Sequence, residues 1–393
     1  MTVRPRIAFL INSLTGGGAE RVMCTLLRHS EAERAEFDIS LGLLDDVARA
    51  YEPPAWVDVR QFDCRGAFPQ SLVACGKFLR ELKPDVTVSF LPRASFVSVL
   101  TQPSRSIISV RGTMSVRLGN GVRGRAARAA MRLAYPQAAR VIAVSNGVAE
   151  DMTSNFGISP ERIAVINNPI DLDAIAASAD EASGVNIPKP FILSVGRLMK
   201  VKNFEMLIRA YAASGTSRTL VIAGEGPLRS ALEDIARACG VADRVIFTGF
   251  VKNPYALMRQ AELFVQSSDT EGFPNALVEA MVVGLPVIST NAPSGPSEIL
   301  AEAPLRTIGG LTFALHGVLT PPGDIASMAE ALRAMEDRER CRTYATKAAA
   351  RARAFGAEVG KNLYWDVIRS VVNELEQSSH DRAREFSEST SSA

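Results

Sequence analysis

Cysteine is sparse and badly placed for bridging. The five residues, Cys24, Cys64, Cys75, Cys239 and Cys341, are scattered, odd in number and form no C-x-x-C pair. That spacing argues against a disulfide framework and a cysteine zinc site, and suits a reducing compartment. Long apolar runs are missing too. None approaches the roughly 20 residues of a spanning helix, and the early run IAFLI is too short for a secretory signal. The expected location is therefore cytoplasmic. Acidic residues are absent from the whole stretch between Val86 and Ala149.

What remains is ordinary globular material: 47% apolar, 22% charged and a net charge of +2. At 393 residues the chain is too long for one core, so two domains are expected. Short β-branched runs alternate with helical patterns. Strands are predicted at 6–12, 37–44, 86–91, 106–110, 140–144 and 163–168, then at 191–196, 220–224, 245–250, 263–268 and 286–290. Continuously apolar strands between helices imply parallel sheets covered on both faces. The non-periodic stretch ADEASGVNIPKP carries the expected linker, 183–190. The fold class is α/β, with two doubly wound, Rossmann-like domains facing a cleft, 1–182 and 191–355. After about 325 the chain turns helical, and residues 378–393 read as a disordered polar tail.

In such sheets ligands bind beyond the carboxyl ends of strands, and four loops there carry polar signals. In INSLTGGGAERV, Gly16, Gly17 and Gly18 precede a helix whose N-terminus favours an anion. The run lacks the last glycine of G-x-G-x-x-G and the Lys-Ser/Thr of a P-loop, and a plain tight turn also accounts for it. In SVGRLMKVKNFEMLIRAYA, Arg197, Lys200 and Lys202 crowd a helix start. Cations there oppose the helix dipole unless an anion lies between them. LVIAGEGPL ends a strand in Gly224-Glu225-Gly226 and reads equally well as a nucleotide turn or a structural one.

The fourth loop is EGFPNALVEA, 271–280. Gly272 and Pro274 are poor helix interiors, so Glu271 is placed on a loop outside a helix N-terminus and Glu279 one to two turns inside it. Two carboxylates so placed grip different ends of one ligand, with backbone N–H groups between them. Ala280, Met281, Val282 and Val283 make that helix apolar nearly all round. A buried Glu279 needs a partner, and sugar or ribose hydroxyls suit it.

These segments, GRL…KN at 196–203, AGEGPL, TGF at 248–250 and EGFPNALVEAMVVGLPVIST, resemble the C-terminal domain of retaining GT-B glycosyltransferases of the large family four. GGGAERV is similar to their N-terminal loop. The resemblance, over about 6–375, implies a cytoplasmic enzyme at the inner face of a membrane. It would move a hexose or N-acetylhexosamine from a nucleotide-sugar, a UDP-sugar, to a glycan or lipid-linked acceptor in cell-surface polysaccharide or glycolipid synthesis. Arg197 and Lys202 would then hold the donor diphosphate, and Glu271 the sugar hydroxyls. Backbone N–H groups from Phe273 through Asn275 and Ala276 to Leu277 would face phosphates and sugar, and Glu279 would bind ribose. Gly17 and Gly18 would close over the diphosphate. A helix at 356–377 would cross back to the N-terminal domain. Many relatives carry a cleft histidine, whereas His29, His316 and His380 here follow no suitable strand; Arg111, directly after SIISV, is the substitute candidate. A UDP-sugar 2-epimerase of the same fold, or a silent sugar-nucleotide-binding scaffold, is the alternative. The histidine shortage argues against the epimerase.

Asp171 and Asp173 form a D-x-D pair, read as a helix cap rather than a metal site. No metal and no cofactor is expected. The one-signed arginines of 105–140 suggest a basic patch for an anionic membrane surface or a diphosphate-linked acceptor. Nucleic acid is not expected, because no aromatics are interleaved for stacking.

Overall fold

Apolar residues at successive positions suit a strand buried on both faces. The computed structural model, which describes residues 4–391, builds two parallel sheets from such runs. The first contains β1 (Arg6–Ile11), β2 (Asp38–Leu43), β3 (Asp58–Gln61), β4 (Val86–Phe90), β5 (Ser106–Val110), β6 (Arg140–Ala143) and β7 (Ile163–Val165). Their order is β3-β2-β1-β4-β5-β6-β7. The second contains β8 (Phe191–Val195), β9 (Thr219–Ala223), β10 (Val245–Gly249), β11 (Leu263–Gln266), β12 (Val287–Thr290), β13 (Thr312–Phe313) and β14 (Val318–Thr320), in the order β10-β9-β8-β11-β12-β14-β13. All pairings are parallel except β13 with β14. In each sheet the order reverses once near the middle, between β1 and β4 and between β8 and β11. Ligands of open α/β sheets bind at such switch points.

The chain divides into two units. Unit 1 takes residues up to Val144, 149–169 and those from Ala357 on; unit 2 takes 145–148 and 170–356. The break therefore lies at Pro169, not at 183–190. The helix Leu172–Ala179 buries Ile175 and Ala179, and Nδ2 of Asn253 donates to its Ser178 carbonyl at 2.8 Å. The 183–190 coil is likewise bound into unit 2, where Gln260 Nε2 donates to Ser183 Oγ at 2.9 Å. Turn-rich composition marks coil but does not say which domain holds it.

In unit 1 the core joins Ile7, Phe9 and Val88 to Leu27 and, from the far end of the sequence, Trp365 and Ile368. Trp365 stacks on Phe37, with ring centres 5.0 Å apart, and its indole N–H donates to Ser30 Oγ at 2.7 Å. In unit 2, Ile192, Leu207, Ile222, Val265 and Ile288 form the core. The last helix runs Ala357–Ser391, so the described part of 378–393 is helical rather than an unstructured tail. Residues 378–391 contain no proline or glycine, so nothing in that segment stops the helix started by the docked residues before it. Residues 392–393 lie outside the described residues.

Candidate active site

The unit 2 switch point is lined by the loops that leave β8 and β11. After β8, Gly196 and Arg197 lead into a 3₁₀ turn, Lys200–Lys202, and then the helix Phe204–Ser214. After β11 the chain runs through Asp269 and Glu271 to Pro274, which caps the helix Asn275–Val282. Lys202 Nζ meets Glu271 Oε1 at 2.6 Å, joining the two loops. The side chains remain 28% and 13% exposed, so water and ligand reach them. Arg197 is exposed and its side chain makes no ion pair among the described residues.

Three residues that sequence reasoning passed over hold Lys202 in place. Asn203 sits in the left-handed region at φ 45°. Its Oδ1 accepts from Met206 N at 3.1 Å, capping the helix, while its Nδ2 donates to Asp269 Oδ1 at 2.7 Å. Ser267 Oγ donates to the Lys202 carbonyl at 2.8 Å. The signal for Asn203 was available, since Asn is the side chain that tolerates this conformation and also caps. Nothing in the sequence revealed that Asp269 was its partner.

Two glycines allow these loops to approach. Gly224 has φ 147°, and a Cβ there would lie 2.0 Å from the Gly196 carbonyl oxygen. The Gly224-Glu225-Gly226 turn thus supports the β8 loop; Leu198 N donates to Glu225 O at 2.8 Å. Gly295, φ 97°, packs on the EGFP loop, where a Cβ would come 2.6 Å from Pro274 Cδ. Beside it Ser294 Oγ donates to the Glu271 carbonyl at 2.7 Å.

Within the helix Asn275–Val282, Glu279 is buried, as the apolar surroundings predicted. The expected line of N–H groups is shorter than Phe273 to Leu277. Leu277 N–H donates to the Pro274 carbonyl at 3.1 Å and its side chain is in the core. The Phe273 ring packs edge-on against Phe355, 5.4 Å between centres. The first helical turn, at Asn275 and Ala276, is partly exposed, and the N–H groups that open a helix lack the i−4 carbonyl partner of its interior.

In unit 1, Gly17 caps the helix Gly18–Arg28 in an extended conformation. Glu20 in the first turn folds back over it: a Cβ at Gly17 would lie 2.2 Å from Glu20 Oε2. The chain's own carboxylate thus lies beside this glycine turn. Leu91, which follows β4 across the same switch point, has φ 72°, strained backbone for a leucine.

Arg111, at the carboxyl end of β5, is tightly held. It donates to Tyr364 Oη at 3.0 Å, Ser109 Oγ at 3.2 Å and Asn168 Oδ1 at 2.6 Å, and lies over the Phe90 ring. Burial pulls its pKa below the ordinary guanidinium value, with Tyr364 acting the other way. This is a positioned cation, not a loose surface arginine. Asp171 Oδ1 accepts from Ala174 N at 3.1 Å, the cap read from the sequence. The histidines serve as local partners: His29 to Glu358, His316 to Glu302 and His380 to the Glu376 carbonyl.

Residues 16–174 match Glycosyltransferase Family 4, and residues 177–352 match Glycosyl transferases group 1. The chain is 32% identical over 366 residues to the N-acetylgalactosamine-N,N'-diacetylbacillosaminyl-diphospho-undecaprenol 4-alpha-N-acetylgalactosaminyltransferase of Campylobacter jejuni, covering 89% of this chain and 95% of that relative. The chain belongs to glycosyltransferase family 4. Its fold is shared with Anabaena HepE, solved in complex with UDP (TM-score 0.73, 21% identity, 93% of this chain and 100% of the other). Sucrose-phosphate synthase from Thermosynechococcus elongatus is similar as well (TM-score 0.75, 17% identity, 94% and 100%). The architecture of this glycosyltransferase is thus the two-domain α/β fold of the GT-B type.

Proposed function

We propose that the protein transfers an N-acetylhexosamine or hexose from a UDP-sugar to a lipid-linked saccharide, with retention of anomeric configuration. The Lys202–Glu271 pair at the unit 2 switch point carries this reading. It puts a cation and a carboxylate side by side at the place where α/β sheets bind nucleotides. On a UDP-sugar, Lys202 and Arg197 take the diphosphate and Glu271 takes sugar hydroxyls. Glu279 takes the ribose, and the first turn of the helix Asn275–Val282 receives negative charge. As the glycosidic bond breaks, charge grows on the departing UDP. Preorganised cations and N–H groups stabilise it more than they stabilise the bound donor. These groups do the work of a divalent ion, so the reaction is metal-independent.

The acceptor class is supported by the Campylobacter relative, whose name gives a diphospho-undecaprenol-linked acceptor. An acceptor of that kind keeps the enzyme at a membrane surface. UDP as the leaving group is supported by the UDP complex of the HepE fold neighbour. The test is a panel of nucleotide-sugars with a lipid-diphosphate-linked acceptor, reading nucleoside diphosphate release and product mass. Transfer from a UDP-hexosamine or UDP-hexose is expected, and its loss in Glu271→Ala separates an enzyme from a silent binder. No transfer from any donor would overturn the reading.

A further inference from the structure

The strand β3 ends the unit 1 sheet, with β2 as its one partner strand among the described residues. Just beyond it, Phe62 N donates to the Leu43 carbonyl of β2 at 2.8 Å. Successive residues of a strand turn their N–H and C=O groups to opposite sides, so Arg60 and Asp58 also face β2. Val59 then points its backbone groups away from the sheet. An open edge of that kind is a template for another strand.

Charge is the usual guard on an edge strand, and here the guard cancels itself. Asp58 and Arg60 share one face of β3, where Arg60 Nε donates to Asp58 Oδ2 at 3.3 Å. Both side chains are more than half exposed. That face looks onto a groove of about 560 Å³ between β3 and the helix Phe68–Leu82. Its floor is apolar: the Phe62 and Phe78 rings lie 5.6 Å apart, with Leu82 beside them. Its far bank repeats the charge pattern, with Lys77 Nζ 3.8 Å from Glu81 Oε1. The groove thus carries two cations and two carboxylates, with no net charge.

We propose that β3 pairs antiparallel with β3 of a second copy of this chain, about a two-fold axis at Val59. The two Val59 residues, whose backbone groups face outward, then exchange both of their hydrogen bonds. The same register sets Asp58 opposite Arg60 of the second copy and Arg60 opposite its Asp58. These are the close, non-hydrogen-bonded positions, where side chains meet most directly. Self-complementarity is what a second copy requires and a foreign strand does not, while a polyanion or polycation would need a groove of one sign. Isologous contacts of this kind build the commonest oligomers, two-fold dimers. Because the paired sheets run in opposite directions, their carboxyl edges lie at opposite ends of the joint, and the pairing covers neither.

The test is sedimentation velocity of the full chain over a range of concentrations. The parent is expected to pass from monomer to dimer as concentration rises. Asp58→Arg sets like charges opposite each other twice and weakens the dimer about tenfold, and Arg60→Asp does the same. The exchanged variant, Asp58→Arg with Arg60→Asp, restores the parent's behaviour, a rescue that a merely structural role would not give. Val59→Pro removes the outward N–H, leaves the bonds to β2 in place and abolishes the dimer. The charge variants keep the parent's circular dichroism and melting temperature, which separates a lost interface from a misfolded chain. A parent that stays monomeric at the highest concentration it tolerates overturns the proposal and leaves this edge to a strand of another protein. A dimer that survives both single charge reversals also overturns it, because another face must then hold the copies together.

Discussion

Lys202 Nζ and Glu271 Oε1 are 2.6 Å apart, although 69 positions separate the residues in sequence. Without a ligand, each neutralises the other across the gap between β8 and β11. On the proposed reading a diphosphate would compete with Glu271 for Lys202, which would give the two residues opposite signatures. Lys202→Ala should weaken UDP binding and lower kcat by about 10²–10³. Glu271→Ala should lower kcat about tenfold or more, the scale of a lost charged hydrogen bond, yet leave UDP affinity equal or improved, because Lys202 is released. Calorimetry and steady-state turnover on both variants check this. Equal loss of UDP affinity in the two would refute it.

Glu279→Gln keeps the shape of a buried side chain and removes its charge. UDP affinity should fall about tenfold or more while the melting temperature moves little. The parent enzyme should discriminate against 2'-deoxy-UDP, and the variant should do so less. If parent and variant show the same preference, Glu279 is not reading the ribose.

Asn203 holds its backbone at φ 45° and bonds both Met206 and Asp269. Asn203→Ala loses the cap and leaves a Cβ in the left-handed region, costing about 2 kcal/mol in total. Asn203→Gly tolerates that backbone and is the milder change. Urea unfolding should rank the variants in that order. The reverse ranking would show that side-chain bonds, not backbone conformation, dominate.

Burial pushes the thiols of Cys24 and Cys75 up to about 11 and about 12. In the unfolded chain they release protons near pH 9.0, while the native state retains them. With more protons bound in the folded state, stability must fall as pH rises from about 9 toward 12. Urea midpoints measured across that window should decline, and Cys24→Ala with Cys75→Ala should flatten the decline. A decline unchanged by that pair of substitutions would assign it to other groups.

Transfer should persist in excess chelator, since Arg197, Lys202 and the helix start at Asn275 are assigned the neutralisation of the diphosphate. Strict dependence on magnesium or manganese would mean those groups are insufficient.

Much of this was legible beforehand. Strands such as VTVSF and SIISV are buried at every position, and runs of β-branched and apolar residues broken only by small Ser and Thr record that directly. β3 was missed because it is a partly exposed edge strand, DVRQ, with no continuous apolar signal. β13 and β14 are only two and three residues long. At the site, Glu271 and Glu279 could be placed because proline and glycine fix where a helix begins. The Asn203–Asp269 bond joins residues 66 apart, and local pattern carries no information across such a span. The domain break was misplaced for a related reason: the loose composition of 179–190 is visible locally, while the packing of the helix before it is not.

Unit 1 also has a history in time. Its sheet is encoded first, yet Tyr364 and Trp365, fully enclosed in its core, come from the helix that begins at Ala357. On the ribosome the whole of 170–356 emerges before that helix does. The early-made half must therefore wait, with a tryptophan-sized gap beside Phe37, while the later-made half is already complete. A premature stop codon ahead of Tyr364 would leave that gap permanent, and the damage would fall on the portion translated first.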